Sequence, residues 1–164
     1  MFAFFSMLIA NCNDSMLKEL NSNAKLMIKL ADVFQMYSQR DTFISMFVQF
    51  SGFDLVERRE MKLKNVHFLL SLLELGIQYP ENLHTGWTVI LRIALKLENI
   101  YTLKSKVKSP RNPKEMTDFE RNLEMIFETS NLNIMGTASD IYPRCSSLSE
   151  ASLLNYFESL CAIA

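Results

Sequence analysis

The sequence predicts an all-α fold, and three observations carry that expectation. Only four Gly and four Pro occur among 164 residues, too few turn formers for the many connections of an all-β chain. Apolar residues recur at three- and four-residue spacing through most of the chain. With 49% apolar and 21% charged residues, the composition is globular, neither disordered nor fibrous.

Taken in order, the opening MFAFFSMLIANC has no basic n-region, and its apolar run of about ten residues is too short for a bilayer. It reads as a buried first helix. Asn13 or Asp14 then caps a second helix, with Leu17, Leu20, Ala24, Met27, Ile28, Ala31 and Phe34 on its inner face. Ser38 with Asp41 resembles a capping box opening a segment with Phe43, Ile44, Phe47 and Phe50 inward, which Gly52 ends. Leu63, Val66, Leu69, Leu70 and Leu73 form the next stripe, stopping near Gly76, with Pro80 barring continuation.

The fourth pattern runs from Thr85 or Trp87 to Lys104, with Trp87, Ile90, Leu91, Ala94, Leu95 and Tyr101 inward. It meets KSKVKSPRNPKE, where Pro110 and Pro113 forbid a helix, so residues 104–113 are expected to be a flexible basic linker. Asn112 and Pro113 form an N-cap and N1 pair for a fifth helix bearing Phe119, Leu123, Ile126 and Phe127. A loop with Gly136 and Pro143 follows. Ser147 with Glu150 then opens a last helix carrying Leu153, Leu154, Phe157, Leu160 and Cys161.

About six helices joined by short connectors make either a bundle or a few units of an α-solenoid. Both ends are apolar and lack the polar outer face of a capping repeat, which favours a HEAT- or armadillo-like solenoid segment over residues 1–164, cut from something longer.

Chemistry is sparse in this pattern. Cys12, Cys145 and Cys161 are odd in number and widely spaced, so free thiols in a reducing compartment are expected. His67 and His84 have no cysteine nearby, no glycine-rich phosphate loop occurs, and neither a metal site nor a cofactor is expected. Cys161 reads as a small core residue, Trp87 as a packing wedge, and Arg40 with Asp41 as a helix-start device. Glu120, Glu124 and Glu128 share one helix face, expected to be solvated beside basic neighbours. The net charge is −1, but residues 1–114 hold 15 basic and 10 acidic side chains, and residues 115–164 hold 2 and 8. No global field draws the chain to nucleic acid. Lys104, Lys106, Lys108 and Arg111 are candidates for contact with an anionic surface.

Four blocks carry a resemblance: SQRDTFISMFVQFS with EMKLKNVHFLLSLLELG, then ENLHTGWTVILRIALKLE, EMIFETS, and LSEASLLNYFESLCAIA. In this order they resemble the helical region C-terminal to the catalytic domain of the large brefeldin-sensitive Arf guanine-nucleotide exchange factors, the BIG or Sec-seven type. The related Mon-two Golgi scaffold family shares most of the pattern. The matching positions are Arg40, Asp41, Lys64, Asn65, Trp87, Ile126, Phe127, Ser130, Phe157, Leu160, Cys161 and Ala162, and NLNIMGTASDIYPRC stands as an insertion.

The resemblance implies a noncatalytic regulatory or scaffolding segment, because the family's exchange activity resides in a separate domain. It further implies a cytoplasmic location peripheral to Golgi or endosomal membranes and a part in vesicle-mediated transport. Expected partners are other segments of the same exchange factor, with an Arf-type GTPase and an anionic membrane as further candidates. A Mon-two-like scaffold and a lipid-binding helical module are the alternative readings.

Overall fold

The computed structural model describes residues 11–57, 60–106, 116–129 and 132–164. Every regular element among them is helical. Four long helices, α1 (Asp14–Val33), α2 (Tyr37–Ser51), α3 (Leu63–Gln78) and α4 (Gly86–Lys106), are followed by the short α5 (Asp118–Glu124) and α6 (Ile134–Ser139) and by α7 (Glu150–Ile163). Tight 3-10 turns occupy Phe53–Leu55, Pro80–Asn82 and Tyr142–Ser147, and Met125–Thr129 is one π turn. The apolar opening through residue 10 lies outside the described residues.

Of the two expected caps, Asn13 is the one that caps α1, its side chain accepting from the Met16 amide at 2.9 Å. The helix ends on a left-handed Gln35 (φ 58), with Met36 N–H donating to Ala31 O and Gln35 N–H to Asp32 O. That pairing satisfies the last carbonyls and turns the chain back within three residues, so α2 packs against α1. α2 starts at Tyr37 with Met36 at its N-cap and no side-chain cap. The expected Ser38–Asp41 capping box is therefore corrected: the Ser38 carbonyl accepts from Thr42, and Asp41 turns to Arg40. Gly52 ends α2 in the left-handed conformation (φ 62), as the sequence predicts.

α3 packs on α1, α2 and α4, and the core runs through Phe47, Phe68, Leu72, Trp87 and Ile90. Gly76 does not stop α3, which continues to Gln78. A Cβ there would stand 3.3 Å from Ile90, 3.4 Å from Trp87 and 3.5 Å from Ile141, so the glycine makes room for close approach of α4 and the Tyr142 turn. α5 opens at Asp118, where Thr117 and Glu120 cap each other reciprocally, rather than at Asn112 and Pro113, which lie outside the described residues. Asn122 is 1% exposed; its side chain donates to Val56 O and accepts from Met61 N–H, both at 2.7 Å, pinning the α2–α3 connector.

The stretch expected to be a loop with Gly136 and Pro143 instead holds α6 and the Tyr142–Ser147 turn. Ile134, Ala138 and Ile141 insert into the core, and α6 packs on both α3 and α4. α7 begins two residues later than expected. Ser149 is its N-cap, whereas Ser147 sits in the preceding turn and donates to Arg144 O.

Several residues expected inside face outward. Met27 on α1 and Phe34 at its C-cap, Leu63 on α3, Leu95 and Tyr101 on α4, and Leu154, Phe157 and Cys161 on α7 are exposed. On α7 the buried positions are Ser152, Tyr156 and Ser159, because small polar side chains let the helix lie close along α4, where Thr88 Oγ1 donates to Ser159 Oγ at 2.9 Å.

Candidate functional site

One polar junction holds Arg40 and Asp41 of the positions singled out by the sequence, and a second joins Glu81 to Ser149. At the first junction Arg40, only 3% exposed, projects from the first turn of α2. Its Nε donates to Asp41 at 2.9 Å, its Nη1 to Asp32 on α1 at 3.1 Å, and its plane lies 5.2 Å from the Tyr37 ring centroid. Asp32 also accepts from Asn82 at 2.8 Å and lies 3.1 Å from His84 Nε2. A nearly buried guanidinium must be paired and fully hydrogen-bonded, and its planar fork meets two carboxylates at once. Arg40 thus locks the end of α1, the start of α2 and the α3–α4 connector together. His84 takes a left-handed backbone (φ 45) to reach this cluster.

At the second junction Glu81, in the α3–α4 connector, accepts from Ser149 N–H at 2.7 Å and from the Ser149 hydroxyl at 2.6 Å. The Ser149 hydroxyl, then that of Ser152, hold the Glu81 carboxyl below its ordinary range, because hydrogen bonds favour the ionised form. A carboxylate therefore sits at the N-terminus of α7, where the helix dipole favours it.

Trp87 is fully buried between these junctions, its Nε1 donating to Pro80 O at 3.2 Å and its ring edge-on to Tyr156 at 4.9 Å. Burial raises the Tyr156 phenol, and burial followed by the nearby Glu98 pushes that of Tyr142 up to about 12. Asn65 accepts from Lys62 N–H at 2.8 Å and donates to Phe50 O at 2.7 Å, capping its own helix and the end of α2. Lys64, beside it, is half-buried. Ile126 is fully buried, and Phe127 packs edge-on against Tyr101. Ser130 lies outside the described residues.

The structure thus splits the motif positions. Arg40, Asn65, Trp87 and Ile126 serve packing, Leu160 is half-buried, and Phe157 and Cys161 face solvent. Of the basic candidates, Lys104 is held by Glu128 at 2.6 Å and lies over the Phe127 ring. Glu128 is accordingly engaged with a basic neighbour, while Glu120 folds back to cap α5. The side chains of Lys106, Lys108 and Arg111 lie outside the described residues. Among the described residues no helix is long and apolar enough to cross a membrane, and no three His, Cys, Asp or Glu side chains group as metal ligands.

Sequence reasoning missed Asp32, Asn82 and His84 around Arg40, and Glu81 against Ser149. Their separations, from 8 residues to 68, carry no local periodic signal.

Compared with known proteins, the chain is 27% identical over 109 residues to the ADP-ribosylation factor guanine nucleotide-exchange factor SEC7 of Saccharomyces cerevisiae. The match covers 66% of this chain and 5% of the yeast protein, so it spans only a small part of that relative. The chain is distantly similar to an Arf exchange factor. No family model and no solved structure matches it.

Proposed function

We propose that this chain is a noncatalytic regulatory or scaffolding segment of an Arf exchange-factor type, its helices stacked as an α-solenoid, serving vesicle transport at Golgi or endosomal membranes. The observation that carries the reading is the outward face of α7. Leu154 is 60% exposed, Phe157 is 51% exposed, and Cys161 is exposed on the same stripe at i, i+3 and i+7. Two of these are motif positions. An apolar stripe turned to solvent on a helix whose packed side is partly serine is a surface for docking protein. The distant similarity to the yeast exchange factor supplies the kind of partner, an Arf-type GTPase or another segment of such a factor. A Mon-two-like scaffold would use the same surface.

The test is paired. Fluorescent nucleotide release from an Arf-type GTPase is followed with the chain in excess, and the GDP- and GTP-loaded forms are offered in pull-downs. Unchanged release with retention of one form, lost in Phe157→Glu, is expected. Accelerated release overturns the noncatalytic role, and retention of neither form by the folded chain removes direct GTPase binding.

A further inference from the structure

α2 and α4 both pack on α3, and between them they leave a cleft of about 360 Å³ that opens to solvent. Its volume is at the small end of the roughly 300–1,000 Å³ range of ligand sites. Val48 of α2, Leu55 of the turn that follows it, and Val89 and Ile93 of α4 supply apolar walls. Two charges of opposite sign line the same cleft, Arg92 of α4 and Asp54 of the Phe53–Leu55 turn, and the rest of the lining is uncharged. Among the described residues neither side chain has a hydrogen-bond or ion-pair partner, the other included. Lys96, one turn further along α4, is engaged with the Phe53 ring at 5.3 Å.

The order of these groups along the cleft specifies the ligand. α4 runs beside α2 in the same direction: a Cβ on Gly86 would stand 2.6 Å from Ile44, and Lys96, ten residues on, lies over Phe53. Arg92 and Asp54 therefore stand towards the Phe53 end, and Val48 and Val89 towards the Ile44 end. A complementary molecule carries a carboxylate for the planar guanidinium fork, an ammonium for Asp54, and one apolar group beyond them. An amphiphile with a single charge fits less well. A fatty acid would set its carboxylate beside Asp54, and an alkylamine would set its ammonium beside Arg92, each making one like-charge contact.

We propose that this cleft binds a free apolar α-amino acid, its carboxylate on Arg92, its ammonium on Asp54 and its side chain between Val48 and Val89. The site is separate from the α7 surface and does not rest on the exchange-factor reading. Methyl spectra of the full chain titrated with L-leucine should show saturable shifts at Val48, Val89 and Ile93 and none at Leu154. Glycine, N-acetyl-L-leucine and L-leucine amide lack the side chain, the ammonium and the carboxylate in turn, and each should bind at least about tenfold more weakly. Both charged residues are exposed, so Arg92→Gln and Asp54→Asn should leave the circular dichroism unchanged. Arg92→Gln should bind L-leucine and its amide alike, and Asp54→Asn should bind L-leucine and its N-acetyl form alike. On the unmodified chain, no saturation up to about 10 mM L-leucine, shifts confined to residues outside the cleft, or an amide or N-acetyl form that binds as tightly as the free amino acid overturns the proposal.

Discussion

The guanidinium of Arg40 stands 3.1 Å from the carboxylate of Asp32, which binds the end of α1 to the start of α2 at the point where the chain reverses. Asp32 is 12% exposed and Arg40 3%, so removing the cation leaves a largely buried carboxylate with only Asn82 and His84 beside it. Arg40→Ala should cost about 3 kcal/mol in a urea melt, at the lower end for a broken buried pair because Asp41 is half-exposed and hydrates readily. Arg40→Lys should recover only part of the loss, since an ammonium cannot span both carboxylates as the fork does. A loss below about 1 kcal/mol for Arg40→Ala would mean that the pair behaves as an exposed one.

Asn21 is 5% exposed on the packed side of α1, and its Oδ1 has no hydrogen-bond partner among the described residues. An unsatisfied buried carbonyl costs about 1–3 kcal/mol, and Asn is a poorer helix former than Leu. Asn21→Leu should therefore raise stability by about 1 kcal/mol, read as a higher urea midpoint at unchanged slope. A lower midpoint would show that the site has no room for the branched side chain.

Trp87 and Gly76 meet where α4 crosses α3. Trp87→Ala should destabilise by about 3–5 kcal/mol through the cavity left behind. Gly76→Val tests the same contact from the other side. Its added carbons enter a space where a bare Cβ already stands 3.3 Å from Ile90, and overpacking of that kind costs about 1–3 kcal/mol. A neutral Gly76→Val in the same melt would contradict the close approach.

Glu81 sets a pH dependence. Its folded carboxyl is held below the unfolded value by Ser149 and Ser152, so the stability it contributes is present above the unfolded pKa and is lost as pH falls through the lowered one. Between about pH 6 and pH 3 the chain should lose stability more steeply than Glu81→Gln. Parallel melting curves for the two proteins over that range would remove Glu81 from the acid response.

The helices themselves were legible because their apolar spacing is local. Asn13, Gly52 and the buried Trp87 followed from short-range rules. Which side of a helix is buried was less legible where apolar residues surround it. On α1 the 3-4 pattern admits Met27 and Phe34 as readily as Ile28 and Ala31, and tertiary contacts make the choice. On α7 close packing selects Ser152 and Ser159 over the larger Leu154 and Phe157, an inversion that hydrophobicity cannot anticipate. Gly76 looked like a stop and is a point of close approach. The Arg40 and Glu81 junctions are built from distant segments, and only one member of each helix-to-helix link carried a recognisable local pattern.

The two hydrogen bonds of Asn122 give assembly an order. Met61 and Val56 find their partner 61 and 66 residues further along the chain. During synthesis at about 5–20 residues per second, the connector after α2 therefore waits roughly 3–13 s with its N–H and C=O unpaired by this side chain. The long helices α1 to α4 leave the ribosome first and can pack α2 on α3, yet the connector between them gains its side-chain partner only when α5 arrives. A nascent chain halted between residues 106 and 117 would hold Val56 C=O and Met61 N–H without Asn122, whereas one released past α5 would supply it.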